Sequence, residues 1–176
     1  DLTCLKKKYH KKTNHICCQG LGDWCPPERN STIAAPIEFT STAFHYLDVS
    51  IMEQVAQILG KSADAQMYAT EKRLIAAEVI ANLYDARTKT FGSQTSDAMA
   101  LDFGLVPKGD EKAVADAIVN NINEKYQGSM HCGIFGIGRI GSMLARNGNS
   151  QAAWSMFSYT GENLFEWMWS SADATS

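Results

Sequence analysis

The sequence is short of the features that would assign it quickly. Its 176 residues contain no apolar run near the roughly 20 residues that a membrane helix needs, and no charged-then-apolar leader opens it. The five cysteines, at positions 4, 17, 18, 25 and 132, are odd in number and irregularly spaced, so reduced thiols are expected rather than a disulfide framework. A formal net charge of -3 argues against a nucleic-acid partner or a membrane surface. No Cys-x-x-Cys occurs, and a helix would turn His10 and His15 away from each other, so neither a metal site nor a cofactor is expected. Period-two alternation, the mark of a half-buried strand, is absent as well.

What is present is enough for a core. With 45% hydrophobic and 20% charged residues, the chain reads as one globular domain spanning 1–176. Residues 1–19 stand apart as a basic segment, with Lys6, Lys7, Lys8, Lys11 and Lys12 read as a solvated face. From Thr42 the rhythm is helical. Phe44, Leu47, Ile51, Val55, Ile58 and Leu59 recur at three- and four-residue steps, and Gly60 stops that helix. A second helix, capped by Ser62, carries Met67, Leu74, Ala77 and Ala81 on one face. Further segments follow over Gln94 to Phe103, from Asp110 through Ile122, over Phe135 to Arg146, and from Asn149 through Trp154. The fold class is therefore all-α, a series of antiparallel helical hairpins.

The linkers differ in kind. Those inside hairpins are short: Gly60 to Lys61, Gly104 to Gly109, Asn147 to Asn149. Those between hairpins, Gly20 to Thr40, Asp85 to Ser93, Gln127 to Ile134 and Thr160 to Phe165, are longer and carry polar and aromatic groups. In a stack of hairpins alternate linkers share one end, so Asp23, Trp24, Glu38, Gln94, Thr95, His131, Glu162 and Glu166 are expected to gather there. The stretch Gly20-Leu21-Gly22-Asp23-Trp24-Cys25-Pro26-Pro27 presents an acid beside an indole, a pair suited to a sugar, whose C–H face packs on the ring while its hydroxyls donate to the acid. The alternatives are a core tryptophan at Trp24, a turn residue or helix cap at Asp23, a satisfied helix-end histidine at His131 and a solvent-facing helix acid at Glu166.

Gly22-Asp23-Trp24-Cys25-Pro26-Pro27, Thr40-Ser41-Thr42-Ala43, Ala56-Gln57-Ile58-Leu59-Gly60-Lys61, Gln94-Thr95-Ser96, Leu101 to Pro107, His131-Cys132-Gly133-Ile134-Phe135-Gly136 and Leu164-Phe165-Glu166-Trp167 together resemble, in order, the later part of the α-L-rhamnosidase catalytic domain, glycoside hydrolase family 78. The resemblance implies about half of an (α/α)6 barrel of six helical hairpins and inverting release of terminal L-rhamnose from rhamnose-containing glycosides. It implies that Asp23, Trp24 and His131 line the sugar subsite and that Glu166 is the general base, in a motif where Phe165 replaces tryptophan. Glu162 falls where the family carries a small or hydroxyl residue. The general acid belongs to an acid-rich motif upstream of the Gly-Asp-Trp loop, which nothing before Gly20 resembles. A chain of this kind is expected to be inactive alone and to self-associate through inner faces around Phe44, Leu47, Met99, Ile137 and Ile140. A non-catalytic carbohydrate-binding or helical interaction module on the same scaffold is the alternative.

Overall fold

The computed structural model describes residues 15–26 and 33–159. Glu162, Glu166 and the lysines from Lys6 to Lys12 lie outside the described residues. Within them the chain is helical: α1 (Ile37–Ile58), α2 (Ser62–Leu83), α3 (Gln94–Phe103), α4 (Glu111–Asn120), α5 (Ile134–Arg146) and α6 (Ser150–Phe157). A single π-helical turn, Asn121–Lys125, continues α4. Extended pairing among the described residues is confined to two isolated bridges, Trp24 with Ile33 and Asp85 with Thr90.

Successive helices pair as α1–α2, α3–α4 and α5–α6, and α3 also packs against both α1 and α5. This makes an inner row of α1, α3 and α5 backed by α2, α4 and α6. The middle helix is the most enclosed, with every residue from Gln94 to Ala100 buried. One apolar core joins α1, α2 and α3 through Phe39, Ala43, Ile75, Val79 and Met99. A second joins α3 to α6 through Ala98, Ile118, Ile140, Leu144 and Met156. No helix among the described residues is long and apolar enough to cross a membrane.

Local chemistry sets both ends of α3. Ser93 Oγ accepts from the Ser96 amide at 3.0 Å and starts α3, which ends at Gly104 in the left-handed conformation. α1 begins at Ile37, earlier than the apolar rhythm suggests, because Pro36 supplies a helix-compatible φ and Glu38 an acid in the first turn. Ser62 opens α2 without making a side-chain cap bond.

Two expectations about faces need correction. On α1 the stripe Ile51, Val55, Ile58 and Leu59 is exposed, while Phe39, Ala43, Val49 and Ala56 are buried. On α2, Met67, Leu74, Ala77 and Ala81 face out and Ile75 and Val79 face in. An apolar stripe marks one side of a helix, but coverage depends on the neighbours. The inner faces expected to be bare are also largely covered. Met99 and Ile140 have no exposed surface, Phe44 and Leu47 are half-buried, and of the five only Ile137 is exposed. Phe44 is shielded by Phe135 and Phe103, at centroid distances of 4.9 and 5.8 Å.

Candidate functional site

The beginnings of the inner helices meet at one end. Pro36 before α1, Ser93 and Gln94 at the start of α3, and His131 before α5 all line a single cavity of about 390 Å³. Ile33, Ala34, Ala35, Gly92, Asn121, Lys125 and Tyr126 complete its wall. Of the four loaded linkers, the three that lie largely within the described residues share an end, with one partial exception, while Thr160 to Phe165 lies outside the described residues. The Asp85 to Ser93 linker reaches the cavity only with its last residues. Lys89 instead turns onto Asp110 ahead of α4, with its Nζ 2.9 Å from Oδ2, and Tyr84 donates to the same oxygen at 2.8 Å. The ammonium and the tyrosine hydroxyl hold the Asp110 carboxyl below its usual range, and burial followed by the Asp110 bond raises the Tyr84 phenol.

Asp23 lies at the centre of this end, and its side chain points inward. It has no exposed surface. Oδ2 accepts from the Gly133 amide at 2.6 Å and from the Thr95 hydroxyl, and Oδ1 accepts from the Phe135 amide at 2.7 Å. Gly133 is the N-cap of α5 and has no side chain to offer. Phe135 is the second helical residue, whose amide an N-cap side chain normally satisfies. The cap is thus supplied from 112 residues earlier in the chain. Only glycine permits the approach, since a Cβ at Gly133 would lie 2.1 Å from the Trp24 carbonyl oxygen. Of the sequence alternatives for Asp23, the helix cap describes this geometry, although the helix is α5 rather than a neighbour in sequence.

Trp24 is not a core residue. Its side chain is 55% exposed, as a presented ring requires, while its backbone is fixed: the carbonyl accepts from the Ile134 amide at 2.9 Å. The indole is not part of the cavity wall, but Ile33, its bridge partner, is. Gly22, at φ 70, makes the turn that delivers Asp23 inward and Trp24 outward.

His131 is nearly buried and stacks on Tyr126 with centroids 4.4 Å apart and planes within 9°. Its amide donates to Gln94 Oε1 at 2.8 Å, and Gln94 Nε2 donates to Asn121 Oδ1 at 3.0 Å. Gln94 therefore ties the π-turn to the segment leading into α5. Next to it, burial pushes the Cys132 thiol up to about 12, against a Thr95 hydrogen bond and with the Asp23 charge adding to the rise, so this cysteine is an unreactive packing residue. Sequence reasoning missed Asn121, Lys125 and Tyr126. Asn121 and Lys125 sit in the π-turn and Tyr126 directly follows it, a feature with no periodicity signal, where α4 seemed simply to run on.

With this geometry in place, the likeness to known proteins can be set beside it. Residues 2–175 match the bacterial alpha-L-rhamnosidase 6 hairpin glycosidase domain. The chain belongs to this family. A curated α-L-rhamnosidase from Formosa agariphila is 30% identical over 164 residues, covering 88% of this chain and 17% of its own length. Among solved structures, the α-L-rhamnosidase from Dictyoglumus thermophilum superposes with a TM-score of 0.77 at 24% identity, covering 95% of this chain and 19% of that one. The Streptomyces avermitilis α-L-rhamnosidase, solved in complex with L-rhamnose, gives 0.73 at 23% identity, covering 89% and 15%. The rhamnosidase-family chain thus spans less than a fifth of the relatives it matches, and its paired helices are a partial (α/α)6 barrel.

Proposed function

We propose that this chain contributes part of the catalytic barrel of an inverting glycoside hydrolase that acts on terminal α-L-rhamnosides. Trp24 is the platform for the sugar, His131 belongs to the adjoining wall, Asp23 serves the same subsite from within that wall, and Glu166 is the general base. The observation that carries the reading is the exposed Trp24 indole, anchored by its backbone beside the His131 segment at the end where the inner helices begin. The naming of the Formosa agariphila relative and the L-rhamnose bound in the Streptomyces avermitilis structure support the substrate class.

Inversion needs a second carboxyl, a general acid about 6.5–9.5 Å from the base. The buried carboxyls at this end, Asp23 and Asp97, are each held by protein donors and do not fill that role. By the family resemblance the acid belongs to the acid-rich motif upstream of the Gly-Asp-Trp loop, so these residues alone turn over an unactivated rhamnoside negligibly.

In the full-length protein, Glu166→Gln is expected to lower turnover of an aryl α-L-rhamnoside by at least about 10²-fold while leaving L-rhamnose binding intact, and Glu162→Gln to do much less. Nuclear magnetic resonance of the first-formed sugar should show the β anomer. Wild-type rates in Glu166→Gln would remove it as the base, and the α anomer would rule out inversion. Binding of L-rhamnose without turnover of any rhamnoside would favour the carbohydrate-binding module.

A further inference from the structure

We propose that Asp23 is a positioning residue for the sugar subsite. Together with Thr95 it sets the Trp24 indole relative to His131, and it does not touch the sugar. The inference rests on the rhamnoside reading for the identity of the ligand, whereas the clamp itself follows from the geometry.

A carboxylate offers about four lone-pair positions. Three are taken here by protein donors: the Gly133 amide, the Phe135 amide and the Thr95 hydroxyl. With no exposed surface, the side chain has no face to offer a sugar hydroxyl. The donors come from two different inner helices. Thr95 lies in the first turn of α3, while Gly133 and Phe135 start α5. One buried acid thereby fixes where α5 begins against α3. The subsite residues are covalently close to this clamp. Trp24 follows Asp23 directly and is bonded through its carbonyl to the Ile134 amide, whereas His131 precedes Gly133 by two positions and is held by Gln94. Loosening the clamp therefore moves platform and wall relative to each other without removing either.

Thr95→Val tests this in the full-length protein, because it deletes one donor of nearly unchanged shape and leaves both backbone donors in place. Thr95→Ser restores the hydroxyl. One hydrogen bond nets about 0.5–1.5 kcal/mol, so amide exchange at Gly133 and Phe135 should quicken roughly 2- to 10-fold in Thr95→Val. KM for an aryl α-L-rhamnoside should rise by a similar factor with kcat within about 2-fold, since a misplaced platform weakens ground-state and transition-state binding alike. Thr95→Ser should return both readouts to wild-type values. Faster exchange with an unchanged KM would reduce the clamp to a purely structural bond and overturn the proposal. A fall in KM would overturn it in the other direction, by indicating that a freed Asp23 carboxylate binds the sugar. Unchanged exchange would remove the clamp altogether. If the wild-type protein neither binds L-rhamnose nor cleaves a rhamnoside, the functional reading fails instead, and the clamp stands or falls on the exchange measurement.

Discussion

Asp23, packed against α3, and Asp97, within its first turn, are both buried, yet they are held in opposite ways. The donors to Asp23 come from 72, 110 and 112 residues away and belong to two inner helices. Those to Asp97 are local: the Phe91 amide at 2.5 Å and the Thr90 hydroxyl at 2.7 Å, six and seven residues earlier. The first carboxyl joins elements of the fold, whereas the second folds its own linker back onto the helix that follows. Two local bonds do not offset the burial of Asp97. Loss of solvent raises its carboxyl to about 7, against the lowering effect of those bonds. Equal burial therefore does not give equal roles: Asp23 ties two inner helices together, and Asp97 ties a linker to its own helix.

The comparison breaks most visibly at Asp23. Asp23→Ala leaves two buried amides and a hydroxyl unpaired, at about 1–3 kcal/mol each, so a loss of at least about 3 kcal/mol is expected in urea unfolding of the full-length protein. A loss below about 1 kcal/mol would put Asp23 on the same footing as a surface acid.

For Asp97 the expected signature is pH dependence. Because its folded-state value lies above the ordinary 3.8, its contribution to stability is complete below that pH and is lost as the pH rises through about 7. Of the titrating groups on the preceding linker, Asp85 sits below its usual range because Thr88 and the Arg87 amide donate to it, so Asp85 stays charged across that window, and Tyr84 is raised well above it. Stability should fall between about pH 4 and pH 7 in the wild type and be flatter in Asp97→Asn. Equal slopes for the two proteins would remove Asp97 as the cause.

The smallest effect provides the scale. Lys112 and Asp116 form an exposed pair one helical turn apart, with Nζ 2.7 Å from Oδ1. Lys112→Ala is expected to cost only about 0.3–0.5 kcal/mol by the same unfolding measurement, and a loss as large as that of Asp23→Ala would show that burial is not what separates the buried Asp23 bonds from the exposed Asp116 pair.

What the sequence determined by itself was set by chemistry between near neighbours. The linker that closes at Ser93, the stop at Gly104 and the Asn147-Gly148 turn act within a few residues, so the third helix could be read to its ends and the hairpin order followed. The ordered motifs, none specific alone, also carried the family. Only the tertiary structure decided which helix faces are covered, because Ile51 and Val55 are as apolar as Phe39 and Val49, and the neighbours determine which are buried. It also decided that Trp24 faces out and Asp23 in. The direction of that carboxyl depends on an amide at Gly133 and a hydroxyl at Thr95, and no local rule of the Gly-Asp-Trp loop can anticipate donors that folding brings from so far along the chain.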